Sequence, residues 1–334
     1  MTIRAMICGS AGPVLTAQEI SFFKESRPAG YILFARNCEN ADQIKKLVRS
    51  FRDAVDHDAL ILIDQEGGRV QRLVPPAWPR YPTARIFGAL YDRDQEAALD
   101  AVWLAANLIG HDLAELGINM DCLPVLDLDS DEGHDVIGDR AYHSDPAIVS
   151  TLGRKACEGL LAAGVLPVIK HIPGHGRAGA DSHLNLPVVD AAKTDLALNE
   201  FAPFHDLADM PAAMTAHVLY TSLDEKRPAT ISLAIIQQVI RKQIGFGGLL
   251  MSDDVSMGAL DGTIAERTIA LIEAGCDVAL HCNGDLAEME QVARNVPKLE
   301  NVARNRFEQA LAMRQVPNKI DRQDAMDRLQ KRIA

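Results

Sequence analysis

The chain has 334 residues, 48% of them hydrophobic and 24% charged, with a formal net charge of −12. That length suits either two ordinary domains or one large barrel, and no apolar run approaches the ~20 residues that span a bilayer, so membrane-spanning, disordered and fibrous classes fall away. The acidic balance argues against nucleic acid, whose phosphates need a basic face, and points to a small-molecule substrate.

In chain order, short apolar or β-branched runs alternate with longer segments of helical period. A first strand is expected over residues 4–8, then a helix over 16–27 opened by the capping box Thr16-x-x-Glu19. The alternation continues with a strand at 30–34, a helix at 41–55, a strand at 60–64 and a long helix at 95–116. Next come a strand at 118–123, a helix at 146–162, a strand at 165–171, a helix at 195–207 and a strand at 212–217. A helix at 233–244, a strand at 247–253, a helix at 264–274 and a strand at 276–282 complete the pattern. Eight alternating units predict an α/β fold, a single (β/α)8 TIM-type barrel over residues 1–334, in preference to an open doubly wound sheet. No Gly/Ser/Pro linker or low-complexity tract divides the chain. From about residue 316 the sequence is strongly charged, and a polar surface helix with a fraying end is expected there.

The six cysteines are scattered without a C-x-x-C pair, as expected of buried thiols. Gly9, Ser10, Gly12 and Pro13 interrupt the apolar N-terminal stretch, which makes a poor signal peptide. Both features predict a reducing, cytoplasmic setting.

Barrel enzymes place their chemistry at the C-terminal ends of the strands. Asp64, Lys170, His171, His217, Asp253 and His281 close five otherwise apolar strands and are expected on one rim, since burying such groups without a purpose is costly. Asp253 could attack an electrophilic carbon from a fixed position, although Ser252-Asp253-Asp254 also reads as a helix N-cap; two adjacent aspartates allow one to face the mouth while the other caps. Residues 170–183 hold a lysine, three histidines and an aspartate among the glycines Gly174, Gly176 and Gly179, the composition of a loop that can move. Within it Asp181-x-His183 lets a carboxylate orient an imidazole and raise its basicity, giving a proton donor near neutral pH; the alternative is a polar surface loop.

Asp64, in Asp-Gln-Glu-Gly-Gly-Arg-Val, could accept hydrogen bonds from polyol hydroxyls. Arg140 could fork donors onto neighbouring hydroxyls or pair with Asp139 or Asp145. His217 and His281 are ligand contacts or satisfied structural histidines, and Arg72 and Met251 are further candidates near the same strand ends. Histidines and carboxylates around a mouth also raise zinc, but metal-dependent barrel hydrolases draw a His-x-His pair from their first strand, which here reads AMICGS. No metal and no cofactor are therefore expected.

Five segments, Asp64-Gln-Glu-Gly-Gly-Arg-Val, Gly138-Asp139-Arg140, Lys170-His171-Ile172-Pro173-Gly174-His175-Gly176, Asp181-Ser182-His183 and Met251-Ser252-Asp253-Asp254, together resemble glycoside hydrolase family 3. They are most similar to its bacterial β-N-acetylhexosaminidase branch, which acts in peptidoglycan recycling. The resemblance implies that Asp253 is the nucleophile of a retaining mechanism, that His183 held by Asp181 is the general acid/base, and that Asp64, Arg140, Lys170 and His171 hold the hydroxyls of N-acetylglucosamine. It implies an exo-acting enzyme on N-acetylglucosaminyl muropeptides. Alternatives kept open are another family 3 β-glycosidase or a phosphorylase, because a neutral base does not repel an anionic acceptor, a metal-dependent hydrolase, and a catalytically silent sugar-binding barrel. Two departures from the family are visible: Cys8-Gly9-Ser10 replaces an Asp common in the first loop, and Ile172 stands where Phe is usual. The sequence gives no expectation for oligomeric state.

Overall fold

A computed structural model describes residues 2–131 and 133–334. Eight parallel strands close a barrel: β1 (Arg4–Cys8), β2 (Pro28–Leu33), β3 (Leu60–Ile63), β4 (Met120–Asp121), β5 (Leu166–Ile172), β6 (Ala212–Thr215), β7 (Leu249–Asp254) and β8 (Val278–His281). Each pairs with its neighbours in sequence, and β8 returns to β1 through Met6↔Ala279 and Cys8↔His281. The runs are apolar until their ends, Leu60–Ile63 reading LILI with every residue buried, because both faces of a barrel strand are covered. At Gly30 of β2 a Cβ would lie 2.7 Å from the Leu60 carbonyl oxygen, so strand spacing there requires glycine.

Helices α1 (Ala17–Ser26), α2 (Ala41–Val55), α3 (Ala84–Tyr91), α4 (Gln95–Glu115) and α5 (Pro146–Ala162) cover one side. The predicted capping box is present: Thr16 accepts from Glu19 N–H at 3.1 Å and Glu19 accepts from Thr16 N–H at 2.7 Å. Helix α2 buries Ile44, Leu47, Val48, Phe51 and Val55 on one stripe, and Phe51 stacks on Tyr31 of β2 with centroids 4.8 Å apart. Burial of each such side chain contributes roughly 1.5–3 kcal/mol.

Three segments differ from expectation. The fourth strand is only two residues long, although Cys122 N–H still donates to Ile63 and Leu123 and Pro124 still accept from Val168 and Lys170. The expected helix at 195–207 is broken into α6 (Lys193–Leu198) and α7 (Ala202–Asp206), with Pro203 confined to the first turn of the second. Residues Ile235–Gln243 wind as a π-helix, a widening that an apolar pattern nine residues long does not separate from the α period.

The chain continues through α8 (Ile264–Ala274), α9 (Leu286–Asn295), α10 (Asn301–Ala312) and α11 (Arg322–Ile333). The polar helix expected near residue 316 and beyond is α11, which packs on α4, burying Ala325 and Leu329 and pairing Arg328 and Arg332 with Asp100 at 3.1 and 3.0 Å. The cysteines are all unpaired, five of them buried and Cys38 half-buried. No helix among the described residues is long and apolar enough to cross a membrane.

Candidate active site

At the C-terminal ends of the strands lies a cavity of about 350 Å³. Asp64, Arg72, Arg140, Lys170, His171, His183 and Asp253 line it, joined by Phe34, Glu66, Arg69, His175, Ser182, Met214 and Asp254. The ladder shifts register near the ends of β5, between Lys170 and Ile172, and of β7, between Met251 and Asp254. Such irregularities re-aim side chains next to active sites, and these two deliver Lys170, His171 and Asp253 to the mouth. The Lys170–His171 and Ile172–Pro173 peptide bonds are cis.

One wall is a buried ionic network. Lys170 Nζ lies 2.9 Å from Asp64 Oδ1 and 2.6 Å from Glu66 Oε1. Arg72 Nη2 reaches Asp64 Oδ2 at 3.0 Å, and its guanidinium sits 5.2 Å from the Phe34 ring centroid. Arg140 forks onto Glu66 through Nε and Nη2, both at 2.8 Å. The partner of Arg140 is thus neither acid nearest in sequence: Asp139 pairs with Arg69 at 2.8 Å and Asp145 caps α5. Burial opposes the charge of Asp64, but Lys170 and Arg72 hold its carboxyl far below the usual range. Glu66, also buried, is brought to about 2 by Arg140 and Lys170. The Lys170 ammonium, although buried, is pushed above its ordinary value by the same carboxylates.

Asp127, in the loop after β4, holds the second wall. Its Oδ2 accepts from His171 Nδ1 at 2.6 Å, and its Oδ1 accepts the backbone N–H groups of His171 (3.2 Å) and His175 (2.6 Å). Donation from Nδ1 leaves Nε2 as the free ring nitrogen of His171. Burial resists the Asp127 charge, but His171 leads the contacts that bring it to about 2. Burial pushes His175 down to about 4, so this histidine is neutral.

Asp253 and Asp254 take different tasks, but neither caps a helix, since α8 begins only at Ile264 with Thr263 as its N-cap. Asp253 lines the cavity and takes the Asp254 N–H at 2.8 Å. Asp254 accepts from Ser256 N–H and hydroxyl at 3.0 and 2.6 Å and from Cys282 N–H at 3.1 Å, fixing the turn that follows. Burial opposes ionisation of Asp253, yet the imidazoles of His217 and His171 and the Asp254 N–H hold its carboxyl below the ordinary value. It is therefore an ionised, half-buried carboxylate facing the cavity, the state a nucleophile needs. Across the mouth, His183 has 63% of its side chain exposed, and its Nδ1 and backbone N–H both meet Asp181 Oδ1, at 2.7 and 2.9 Å. Asp181 is outside the cavity lining and reaches the mouth through His183.

Three candidates point elsewhere. His217 is buried between Thr230 Oγ1 (2.7 Å) and the Asp254 carbonyl (3.0 Å), so it supports the backbone next to Asp253. His281 bonds Glu288 of α9 at 2.9 Å, and Met251 belongs to the barrel core; none of the three lines the cavity. Sequence reasoning passed over Asp127 and the pairing role of Glu66. The signal for Asp127 was available, an acid ending the run Leu123-Pro-Val-Leu-Asp on the loop of a barrel strand.

Known proteins are similar to this chain in sequence and in fold. Residues 14–316 match the family described as Glycosyl hydrolase family 3 N terminal domain. A beta-hexosaminidase of Bordetella avium (strain 197N) is 37% identical over 301 residues, covering 88% of this chain and 85% of that protein. NagZ from Neisseria gonorrhoeae, solved in complex with N-trifluoroacetyl-D-glucosamine, superposes with a TM-score of 0.85 at 31% identity, over 100% of this chain and 96% of that one. The beta-N-acetylglucosaminidase from Thermotoga maritima gives a TM-score of 0.76 at 31% identity, over 93% of this chain and 67% of that one.

Proposed function

The chain belongs to glycosyl hydrolase family 3 and is a β-N-acetylhexosaminidase, and from that premise we propose that it removes terminal, non-reducing β-linked N-acetylglucosamine from peptidoglycan-derived muropeptides in the cytoplasm, as a step of cell-wall recycling. The observation that carries this reading is the presence, on one mouth, of a half-buried ionised carboxylate and an exposed imidazole oriented by a second carboxylate. Asp253 attacks the anomeric carbon while His183 Nε2–H protonates the departing oxygen. The glycosidic C–O bond breaks and an ester to Asp253 forms. Neutral His183 then takes a proton from water as that water attacks the same carbon, releasing the sugar with retained configuration.

The ionic wall supplies the ring contacts. Lys170 has three N–H donors of which Asp64 and Glu66 use two, and His171 offers Nε2. Arg140, anchored by Glu66, and Asp64 complete the set around the hydroxyls. The N-trifluoroacetyl-glucosamine held by the Neisseria relative supports an N-acylated amino sugar as the occupant.

The test compares substrates and product stereochemistry. A nitrophenyl β-N-acetylglucosaminide should turn over on the order of a hundredfold or more faster than the β-glucoside with the same leaving group. The β-anomer should appear first by proton NMR, and N-acetylglucosamine should be released from an N-acetylglucosaminyl-anhydro-N-acetylmuramyl peptide. Equal rates on the two sugars, or the α-anomer first, overturns the mechanism; an intact muropeptide overturns the assignment to recycling.

A further inference from the structure

The loop after β5 is held at its root and again at its catalytic turn. At the root, Arg177 pairs with Glu200 at 2.6 Å and Asp195 at 2.8 Å. Farther along, the N–H groups of Leu184 and Asn185 both reach the Asp181 carbonyl at 3.0 Å, closing a turn over residues 181–185. This turn rests on another segment: Gly258 N–H donates to the His183 carbonyl at 3.1 Å, and Ala259 N–H to the Ser182 carbonyl at 3.2 Å. Ser182 is 4% exposed, with its hydroxyl 3.3 Å from Nε2 of the buried His175.

The segment beneath continues directly from the nucleophile's strand. Asp254 ties down Ser256, and Arg267 Nη1 donates to the carbonyls of Val255 and Met257 at 3.0 and 3.1 Å. Gly258 meets the acid/base turn backbone to backbone. A Cβ there would lie 2.8 Å from the Leu184 carbonyl oxygen and 2.9 Å from that of His183, so any side chain must lift the turn by about half an ångström or more to restore normal contact.

We propose that Gly258 and Ser182 are positioning residues: the turn after Asp253 is a shelf that sets the height of His183 above the nucleophile. The proposal rests on His183 as the acid/base. A proton donor displaced by an ångström can lose about a hundredfold in rate, and only where the leaving group needs the proton.

Single-turnover glycosylation with a disaccharide and with a nitrophenyl glycoside, in wild type, Gly258→Ala, Ser182→Ala and His183→Ala, tests it. Gly258→Ala should slow disaccharide cleavage by about tenfold to a hundredfold and nitrophenyl release by less than about threefold. Ser182→Ala, which removes only a hydroxyl, should lean the same way more mildly, and it carries the test alone if Gly258→Ala fails to fold. Equal slowing with both leaving groups, or none, overturns the shelf, because a merely structural defect does not sense the leaving group. The control separates the two ideas. If His183→Ala discriminates between leaving groups and the shelf variants do not, the shelf alone is wrong. If His183→Ala does not discriminate, the acid/base reading falls and the shelf with it.

Discussion

Lys170 keeps its charge with 2% of its side chain exposed because two carboxylates meet its ammonium; losing Glu66 would leave Asp64 on Lys170 but strip the largely buried Arg140 of its carboxylate, at a cost of roughly 3–5 kcal/mol. The same logic makes Asp127 a residue on which stability turns. Its folded pKa of about 2 lies below the ~3.9 of an unfolded aspartate, so its ionisation stabilises the fold fully above that unfolded value. The contribution, about 2 kcal/mol, is lost as the pH falls from roughly 4 through 2. Denaturant unfolding of wild type and Asp127→Asn should therefore show a gap of about 2 kcal/mol or more at pH 7 that narrows toward pH 2. A gap that holds constant over that range contradicts the ionised, histidine-paired state of Asp127.

Between elements, close backbone approaches set where the walls of the site stand. Gly88 of α3 packs against the segment that follows Arg140, and a Cβ there would lie 1.7 Å from the Tyr142 carbonyl oxygen. Gly88→Ala should cost roughly 1–3 kcal/mol in chemical denaturation, since the helix must back away. It should also lower kcat/KM about tenfold by shifting Arg140 and, through it, Glu66. A destabilised enzyme of full activity would mean that α3 does not position the arginine. The strand rhythm was legible because barrel strands buried on both faces read as apolar runs, and Asp64, Lys170 and Asp253 stood out by closing such runs. What sequence could not separate was orientation: His217 and His281 carry the same polarity signal, yet one turns to Thr230 and the other to Glu288. Nor could spacing reveal that Arg140 reaches across to Glu66 instead of its neighbour Asp139, a choice made by barrel closure.

For the whole molecule, barrel closure brings β7 and the loop after β5 to one mouth, so that Asp253 and His183, far apart in sequence, face the same cavity. The proposed reaction is a double displacement in which Asp253 bonds to the sugar. The most direct measurement is mass spectrometry of the enzyme after incubation with a slow 2-acetamido-5-fluoro glycoside, followed by peptide mapping. One glycosyl adduct is expected, on the peptide that contains Asp253 and absent in Asp253→Ala. An adduct on another peptide, or turnover of the reagent with no adduct at any time, would contradict it.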